Sequence, residues 1–225
     1  MLHNVATDVH CLTVSFEVGG FLELGGRMTV IRLPDGALWV HSPVRCTAEA
    51  RAAVDALGPV RFLVAPNLMH HLHVREWAEA YPEAKVVAPA GLRLKRPDLR
   101  IDQELGGAQG AAWAGVIEPV LVRGMPKLDE FLFLHRPSGT VLVTDLAFNI
   151  HQSGSWTTRT YLKLCGAWRR LAPTLLTRSA VKDRAAVRAS LPPVLAWDTR
   201  RVVVCHGDVL EADAKEALRD ALERL

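Results

Sequence analysis

The sequence predicts a mixed α/β (α+β) protein, a sandwich in which two sheets pack face to face with helices on the outside. Three observations predict this fold class. The chain opens with antiparallel strand patterns, it continues with short apolar strands that alternate with helical patterns, and its two halves share a layout of strands followed by helices. Because each element must bury its apolar side against another layer, this order favours a single layered domain over residues 1–225.

The composition is that of an ordinary globular domain. The 225 residues are 49% hydrophobic and 23% charged, which is typical of a chain that buries a sizeable core. The formal net charge of +3 is too small, and the basic residues too dispersed, to indicate nucleic-acid binding. We therefore expect no nucleic acid among the partners.

Cysteine usage and the N-terminal residues predict a cytoplasmic location. The four cysteines (Cys11, Cys46, Cys165 and Cys205) lie far apart without a C-x-x-C pair, so we expect reduced thiols and no disulfide scaffold. The first ten residues lack the basic-then-apolar order of a signal peptide. No apolar run approaches the ~20 residues that span a bilayer, so we expect no membrane partner.

The first elements are strands. Residues 10–17 alternate apolar and polar side chains, and further strand patterns cover residues 28–33 and 37–41. The sequence Pro34-Asp35-Gly36 between the last two is a strong turn signal. The chain is therefore predicted to open as an antiparallel meander.

A histidine-rich stretch follows the next strand. A helical pattern over residues 47–57, with Thr47 as its N-cap, leads into an apolar strand at residues 62–65. Pro66-Asn67 ends this strand, because proline cannot continue a central strand. A second helical pattern then runs to about residue 80. Three of the nine histidines lie between the strand and this helix, and histidine is the commonest metal ligand and general acid or base.

The remaining elements continue the alternation. The predicted strands cover residues 85–88, 116–122, 131–135, 140–144 and 201–205. The predicted helical segments cover residues 89–93, 156–171, 182–191 and 211–225. Residues 96–110 are polar and rich in glycine, without a clear period, and we expect a surface loop there.

Three predicted strands end in side chains that can bind a metal. The strand at residues 62–65 is followed by His70, His71 and His73, the strand at 140–144 by Asp145, and the strand at 201–205 by His206. Ligands gather beyond the carboxyl ends of strands because the loops there converge while the strands stay rigid. Imidazoles together with a carboxylate suit zinc, iron(II) or manganese. The sequence therefore predicts a metal site.

The order of elements and these motifs resemble the metallo-β-lactamase superfamily. Its fold is a four-layer αββα sandwich of two mixed sheets, and its ligand motif H-x-H-x-D-H follows a strand. A strand-end Asp and a C-terminal His, often followed by Gly, come later. In this chain the corresponding segments are Pro66-Asn67-Leu68-Met69-His70-His71, Leu142-Val143-Thr144-Asp145 and Val204-Cys205-His206-Gly207.

The sequence is similar in more detail to one branch of that superfamily, which is labelled a domain of unknown function. The branch carries the motifs Arg-Met-Thr-Val-x-Arg-Leu-x-x-Gly, Ser-Pro, Ala-Pro-Asn-x-x-His-His, Thr-Asp-Leu and His-Gly-Asp. The matching residues here are 27–36, 42–43, 65–71, 144–146 and 206–208.

The departures from the superfamily motif reduce the expected metal content. Pro66 and Leu68 replace two histidines of the first metal site, and residues 120–129 contain no histidine where its next ligand would come. Proline and leucine side chains cannot bind a metal, so we expect no two-metal centre. The resemblance implies one divalent metal ion, zinc in preference to iron or manganese. Its predicted ligands are His71, Asp145 and His206, with His70 or His73 as the fourth.

Two classes of function follow from this site. One metal with an open position lowers the pKa of bound water and polarises a carbonyl or phosphoryl oxygen. Such a site suits hydrolysis of an ester, thioester, lactone or phosphoester of a small molecule. The catalytic residues are left unassigned, with Asp208 and Glu130 as candidates for a base. The alternative is a catalytically silent member of the fold that binds a ligand or a partner protein.

Several residues have a structural interpretation beside the functional one. Asp145 is a candidate turn cap, and Gly207 a candidate for close approach of another backbone. His41 stands where the superfamily has an Asp, and either belongs to the site or makes a structural hydrogen bond. Arg27 binds either an acidic substrate or a nearby carboxylate. The helical segment 156–170 is a candidate homodimer face or a lid over the site.

Overall fold

The computed structural model describes residues 2–106 and 113–225, and this part of the chain has the predicted mixture of strands and helices. The strands are β1 (His3–Ala6), β2 (Val9–Val14), β3 (Glu17–Val18), β4 (Leu22–Glu23), β5 (Gly26–Arg32), β6 (Leu38–His41), β7 (Val60–Val64), β8 (Lys85–Ala88), β9 (Gln103–Glu104), β10 (Ile117–Leu121), β11 (Phe131–His135), β12 (Thr140–Val143) and β13 (Arg201–Val204). The helices are α1 (Ala48–Asp55), α2 (Val74–Ala80), α3 (Gly91–Lys95), α4 (Trp156–Cys165), α5 (Leu175–Ala180), α6 (Arg184–Leu195) and α7 (Ala214–Glu223). None of the described helices is both long enough and apolar enough to cross a membrane.

The chain divides into two compact units. Unit 1 contains Met1–Thr13 and Arg27–Val116, and unit 2 contains Val14–Gly26 and Ile117–Leu225. Each unit therefore draws on two separate stretches of sequence. The single domain predicted over residues 1–225 stays a prediction.

Unit 1 is built on one mixed sheet with the strand order β1-β2-β5-β6-β7-β8-β9. The pairs β1–β2 and β5–β6 are antiparallel, and the second is the hairpin predicted around Pro34-Asp35-Gly36. The pairs β6–β7, β7–β8 and β8–β9 are parallel. Parallel neighbours bring their carboxyl ends to one edge of a sheet, so β6 and the histidine loop after β7 end at the same edge.

In unit 1, α1 and α2 begin where the sequence predicts, whereas α3 begins at Gly91, two residues after the start of its predicted segment. Thr47 is the N-cap of α1, and its side chain accepts a hydrogen bond from the amide of Ala50, which satisfies one of the unpaired donors at a helix start. In α2 the buried Trp77 donates from Nε1 to the carbonyl oxygen of Val44 at 2.6 Å. This bond ties the helix that follows the histidine loop to the segment after β6.

Unit 2 is built on a four-stranded sheet with the order β10-β11-β12-β13. The pairs β10–β11 and β11–β12 are antiparallel, and β12–β13 is parallel. The register pairs Val143 with Val204, the last residue of each strand. Asp145 and His206 therefore each lie two residues beyond a matched pair of strand ends. The helices α6 and α7 contribute Leu191, Leu218 and Leu222, among other residues, to the apolar core of this unit.

The structure corrects several predicted boundaries. The helical pattern over 156–171 ends early, because Gly166 takes the left-handed conformation (φ 67°) that terminates α4. The helix predicted to end at residue 191 continues through Pro192 and Pro193. Both prolines are on its exposed side, where water can hydrate the carbonyls that lose their partners.

Short elements without a sequence period were missed. β9 lies within the predicted loop 96–110, and it exists because its two residues pair with Val87 and Ala88 of β8. Residues 107–110 of that predicted loop lie outside the described residues. The six-residue helix α5, with Thr174 as N-cap, was also absent from the prediction, as were β1, β3 and β4.

Candidate metal centre

In unit 2, Asp145 and His206 face each other at the ends of the parallel strands β12 and β13. Oδ1 of Asp145 is 3.3 Å from Nε2 of His206. His206 is 3% exposed and Asp145 is partly exposed. The structure thus brings these two predicted ligands together at the ends of adjacent strands within unit 2.

The hydrogen bond of the other ring nitrogen defines the chemistry of this pair. Nδ1 of His206 donates to the carbonyl oxygen of Gly25 at 2.7 Å, since a carbonyl can only accept. In the neutral ring, Nε2 therefore presents a lone pair to a carboxylate oxygen, which is also an acceptor. A cation or a proton between the two atoms is required to make this contact favourable.

The donor set and spacing of the pair fit a divalent metal. Two ligand atoms about 2.0–2.1 Å from a tetrahedral zinc are about 3.3–3.4 Å apart, and the observed separation is 3.3 Å. Metal-binding histidines characteristically donate their other ring N–H to a carbonyl or carboxylate, as His206 does to Gly25. Asp145 and His206 belong to a candidate metal-binding group.

Packing holds the His206 ring in place. The ring of Phe148 is 4.6 Å from that of His206 between centroids, and the ring of Phe16 is 6.3 Å away. Gly207 has a φ of +111°, and a Cβ there would lie 2.2 Å from the carbonyl oxygen of Asn149. The predicted need for glycine at this position is confirmed, because the Asn149 backbone approaches too closely for any side chain.

The Asp145 loop is held by two side chains, those of Glu130 before β11 and Thr177 in α5. The carboxylate of Glu130, 0% exposed, accepts hydrogen bonds from the amides of Thr144 and Asp145, both at 2.8 Å, and from that of Leu146 at 3.3 Å. Thr177 of α5 donates from Oγ1 to the Asp145 carbonyl at 2.8 Å. Both carboxylate oxygens of Glu130 thus bind backbone, so the structure does not support its candidacy as a general base.

In unit 1, the turn after β7 fixes His70. The side chain of Asn67 is 0% exposed, and its Oδ1 accepts the amides of Met69 and His70, both at 2.8 Å. Oγ of Ser42 lies 2.7 Å from Nδ1 of His70. With Nδ1 held in this way, a role for His70 as a metal ligand would use Nε2. His70 also belongs to a candidate metal-binding group.

The other two histidines of the loop have different surroundings. Nδ1 of His71 is 3.0 Å from Nη1 of Arg96, and a guanidinium can only donate. Burial, and then the positive charges of Lys95 and Arg96, lower the pKa of His71 to about 4. Nδ1 of His73 is 3.0 Å from Oε1 of Glu76. Among the described residues, no candidate metal-binding group includes His71 or His73.

His41 is fully buried at the end of β6. Its ring stacks on that of Trp39, two residues earlier on the strand, with centroids 5.7 Å apart. Burial, and then the charge of nearby His70, lower the pKa of His41 to about 3. It is therefore a neutral imidazole at physiological pH. Arg27 is also buried, and its Nε donates to Oγ1 of Thr13 at 3.4 Å.

Sequence reasoning missed the residues that hold the ligand loops. The sequence pattern identifies Asn67 only as a strand terminator, although an Asn next to a proline is also a frequent turn former whose side chain binds the amides that follow. It identifies Ser42 only as part of a Ser-Pro motif. Glu130 and Thr177 carry no sequence signal for their role, because it depends on which backbone the fold brings next to them.

Solved structures resemble this chain over its whole length. The DIM-1 metallo-β-lactamase exposed to ceftazidime has a TM-score of 0.68 at 12% identity, with 99% of this chain and 96% of that chain covered. A metallo-β-lactamase from Pontibacter korlensis has a TM-score of 0.68 at 12% identity, with 100% and 99% covered. The chain has the metallo-β-lactamase fold. This confirms the predicted fold class and the resemblance on which it rested.

Three further comparisons were informative about the relatives of this chain. The metallo-β-lactamase FIM-1 from Pseudomonas aeruginosa, solved in a mono-zinc form, matches with a TM-score of 0.61 at 10% identity, covering 99% and 94%. Residues 17–92 match the model of a domain of unknown function, DUF4336. A search of curated proteins found no match. A divergent branch of the metallo-β-lactamase fold accounts for these findings.

Proposed function

We propose that the protein is a metal-dependent hydrolase of a small-molecule ester, thioester, lactone or phosphoester, with one divalent metal ion bound by Asp145, His206 and His70. The observation that carries the proposal is the contact of Nε2 of His206 with Asp145, while Nδ1 donates to Gly25. With Nδ1 donating, the Nε2 lone pair points toward the Asp145 carboxylate, so that one metal ion placed between them would be bound by both side chains. Zinc is the favoured ion, with iron or manganese as alternatives.

The sequence supports a single metal ion. Pro66 and Leu68 occupy positions at which the superfamily motif has histidines, and neither side chain can donate a lone pair. Three protein ligands leave an open position, as in catalytic zinc sites. FIM-1, a protein of the same fold, is known in a mono-zinc form.

Each ligand has a defined task in this proposal. A metal bound there would lower the pKa of a bound water and polarise the scissile carbonyl or phosphoryl oxygen. Asp145 supplies the negative charge, while His206 is kept in one tautomer by the Gly25 carbonyl. His70 is oriented by Ser42 and by Asn67. The aromatic ring of Phe148 covers one side of the His206 imidazole and limits its access to water.

His71 and His73 stay predicted ligands that variants can test. A ligand role for His71 would have to use Nε2, because Arg96 donates to Nδ1. His73 would have to bind either through Nε2 or through Nδ1 after losing its contact with Glu76. We therefore expect the variants His71→Ala and His73→Ala to weaken metal binding less than His206→Ala does.

One observation favours a second candidate function, a catalytically silent protein that binds a ligand. Of the two candidate bases, Glu130 has both carboxylate oxygens bound to backbone amides. Asp208 is exposed and accepts the amide of His151 at 3.3 Å. Without another base, hydrolysis would depend on metal-bound water alone.

Metal analysis tests the proposal most directly. Protein purified without an affinity tag or chelator should contain about one equivalent of zinc, iron or manganese by mass spectrometry. The variants Asp145→Ala and His206→Ala should lose it, whereas the matched control His3→Ala, at an exposed position on β1, should retain it. A folded wild-type protein that neither contains nor takes up any of the three metals would contradict the proposal.

Activity separates the two candidate functions once metal binding is established. The metal-loaded protein would be assayed on a p-nitrophenyl ester, an acyl thioester, a lactone and a phosphodiester. Turnover that is abolished in His206→Ala and retained in His3→Ala supports the hydrolase. Stoichiometric metal without turnover on any of these substrates favours the silent ligand-binding protein.

A further inference from the structure

We infer that Glu130 is a positioning residue, which holds the backbone of Asp145 so that the Asp145 carboxylate faces Nε2 of His206. The inference rests on the proposed function, because it assigns a role to Glu130 in the same site. Among the described residues, the candidate metal-binding group does not include Glu130. It acts through three backbone amides, those of Thr144, Asp145 and Leu146.

The strand register explains why a side chain is needed at this point. β11 and β12 pair antiparallel, with Phe133 opposite Leu142 and Leu134 opposite Val141. Continuing this register by three residues places position 130 opposite position 145. The chain turns at Asp129, which has a φ of +51°, so β11 does not continue alongside the amides that follow Val143. The Glu130 carboxylate accepts those amides in its place.

The chemistry of the contact fits positioning and not packing alone. A fully buried carboxylate is costly unless hydrogen bonds compensate the loss of water. Three backbone N–H groups provide that compensation, and hydrogen bonds to a charged acceptor are shorter and stronger than neutral ones. Two of the three are 2.8 Å long. A neutral side chain of the same shape could not accept from all three amides.

Glu130 contacts the backbone of the proposed ligand Asp145 directly. The amide of Asp145 itself binds Oε2 of Glu130, and the carbonyl of Asp145 accepts from Thr177. Both the backbone N–H and the backbone C=O of Asp145 are therefore held, so that the side chain can move only by rotation about its own bonds. Groups that orient metal ligands in this way typically change metal affinity 10- to 100-fold when mutated.

The decisive variant is Glu130→Gln, with Glu118→Gln as its matched control. Glutamine keeps the shape of Glu130 but replaces one acceptor oxygen with an NH₂ donor, which must face a backbone N–H. Glu118, on the neighbouring strand β10, accepts from Nε1 of Trp197 and from Arg136, both side chains remote in sequence from the ligand loop. The same chemical change is thus made in the same unit without touching residues 144–146.

The readouts are cobalt(II) binding to the full chain and amide hydrogen exchange of the metal-free protein. We expect Glu130→Gln to weaken Co²⁺ binding at least tenfold, to alter the cobalt absorption spectrum, and to speed exchange at residues 144–146 at least tenfold. Glu118→Gln should do none of these. Unchanged cobalt affinity in Glu130→Gln would overturn the inference, even with faster exchange, because the support would then be structural only.

Two further measurements keep the inference testable. If the wild-type protein binds neither Co²⁺ nor Zn²⁺, the proposed function fails, and the ¹⁵N shift of His206 Nε2 replaces cobalt as the readout. A shift that changes in Glu130→Gln supports the inference, and one that does not overturns it. If Glu130→Gln does not fold, Glu130→Asp, which keeps both acceptor oxygens on a shorter side chain, replaces it with the same readouts. Weaker Co²⁺ binding than in the wild type supports the inference, and wild-type affinity overturns it.

Discussion

Each ring nitrogen of His206 has a polar neighbour that restricts what the residue can bind. One ring nitrogen is committed to the Gly25 carbonyl, and the other faces the Asp145 carboxylate. The contact between two acceptors is repulsive unless a cation or proton lies between them. The residue after it is equally constrained, since Gly207 combines a φ of +111° with a backbone in direct contact.

Replacing Gly207 with Ala should lower the free energy of unfolding by about 3 kcal/mol or more, because a Cβ would overlap the Asn149 carbonyl in addition to the backbone strain. Urea denaturation measures it. The control is Gly20→Ala, which shares a positive φ of 74° but has no neighbour within 4 Å; we expect a loss of about 1 kcal/mol there. Equal losses in the two variants would contradict the steric explanation.

His41 should make the protein sensitive to acid. Its pKa in the folded protein is about 3, below the ordinary value, so folding favours the neutral form. The unfolded chain then binds the extra proton, and the stability due to neutral His41 is lost as the pH falls from about 6.5 toward 3, by about 1.4 kcal/mol per pH unit.

The variant His41→Gln should therefore reduce the slope of unfolding free energy against pH between pH 6 and pH 4, measured on metal-free protein. The control Val40→Ala changes a buried neighbour without a titratable group, so its curve should run parallel to that of the wild type. A parallel curve for His41→Gln as well would exclude His41 as the source.

At the scale of elements, the two loops that carry candidate ligands are built in the same way. Each follows a strand with a parallel neighbour, β7 in unit 1 and β12 in unit 2, and each has two or more of its amides accepted by one buried side chain. Asn67 serves the His70 loop, and Glu130 serves the Asp145 loop. Strand geometry alone would leave these amides without acceptors, because both loops depart from their sheets.

Asn67→Ala should destabilise the protein by about 2–4 kcal/mol, because the amides of Met69 and His70 lose a buried acceptor. It should also lower metal occupancy, since His70 is no longer held. Chemical denaturation and metal analysis measure the two effects. Asn67→Asp retains an acceptor oxygen and should recover part of both. If occupancy stays at the wild-type level in Asn67→Ala, the turn does not position a ligand.

At the scale of the whole molecule, the metal should contribute to stability. A ligand bound only by the native state stabilises it by about 2.7 kcal/mol at a free concentration 100 times its Kd. Adding zinc to chelator-treated protein should therefore raise Tm by several degrees. The same addition should leave His206→Ala unchanged, and a rise of equal size in that variant would indicate zinc binding elsewhere.

The sequence predicted the fold class and the places of Asp145 and His206 beyond the strand ends because both depend on local patterns. Apolar strands that end in His or Asp are visible without coordinates, and so is the turn signal at Pro66-Asn67. The roles of Ser42, Glu130 and Thr177 were not predictable, since they depend on which loops the sheet registers bring together. The short strand β9 and the helix α5 were missed for the same reason.

The interleaving of the two units has a consequence for dissecting the molecule. The segment 14–26 precedes most of unit 1 in sequence but belongs to unit 2, and it contains the Gly25 carbonyl that accepts from His206. A fragment that begins at residue 117 would retain Asp145 and His206 and yet lose the acceptor that sets the tautomer of His206, in addition to the proposed ligand His70. Either ring nitrogen of His206 could then carry the proton, so we expect an excised C-terminal half to bind metal more weakly than the intact chain even when an external imidazole replaces His70.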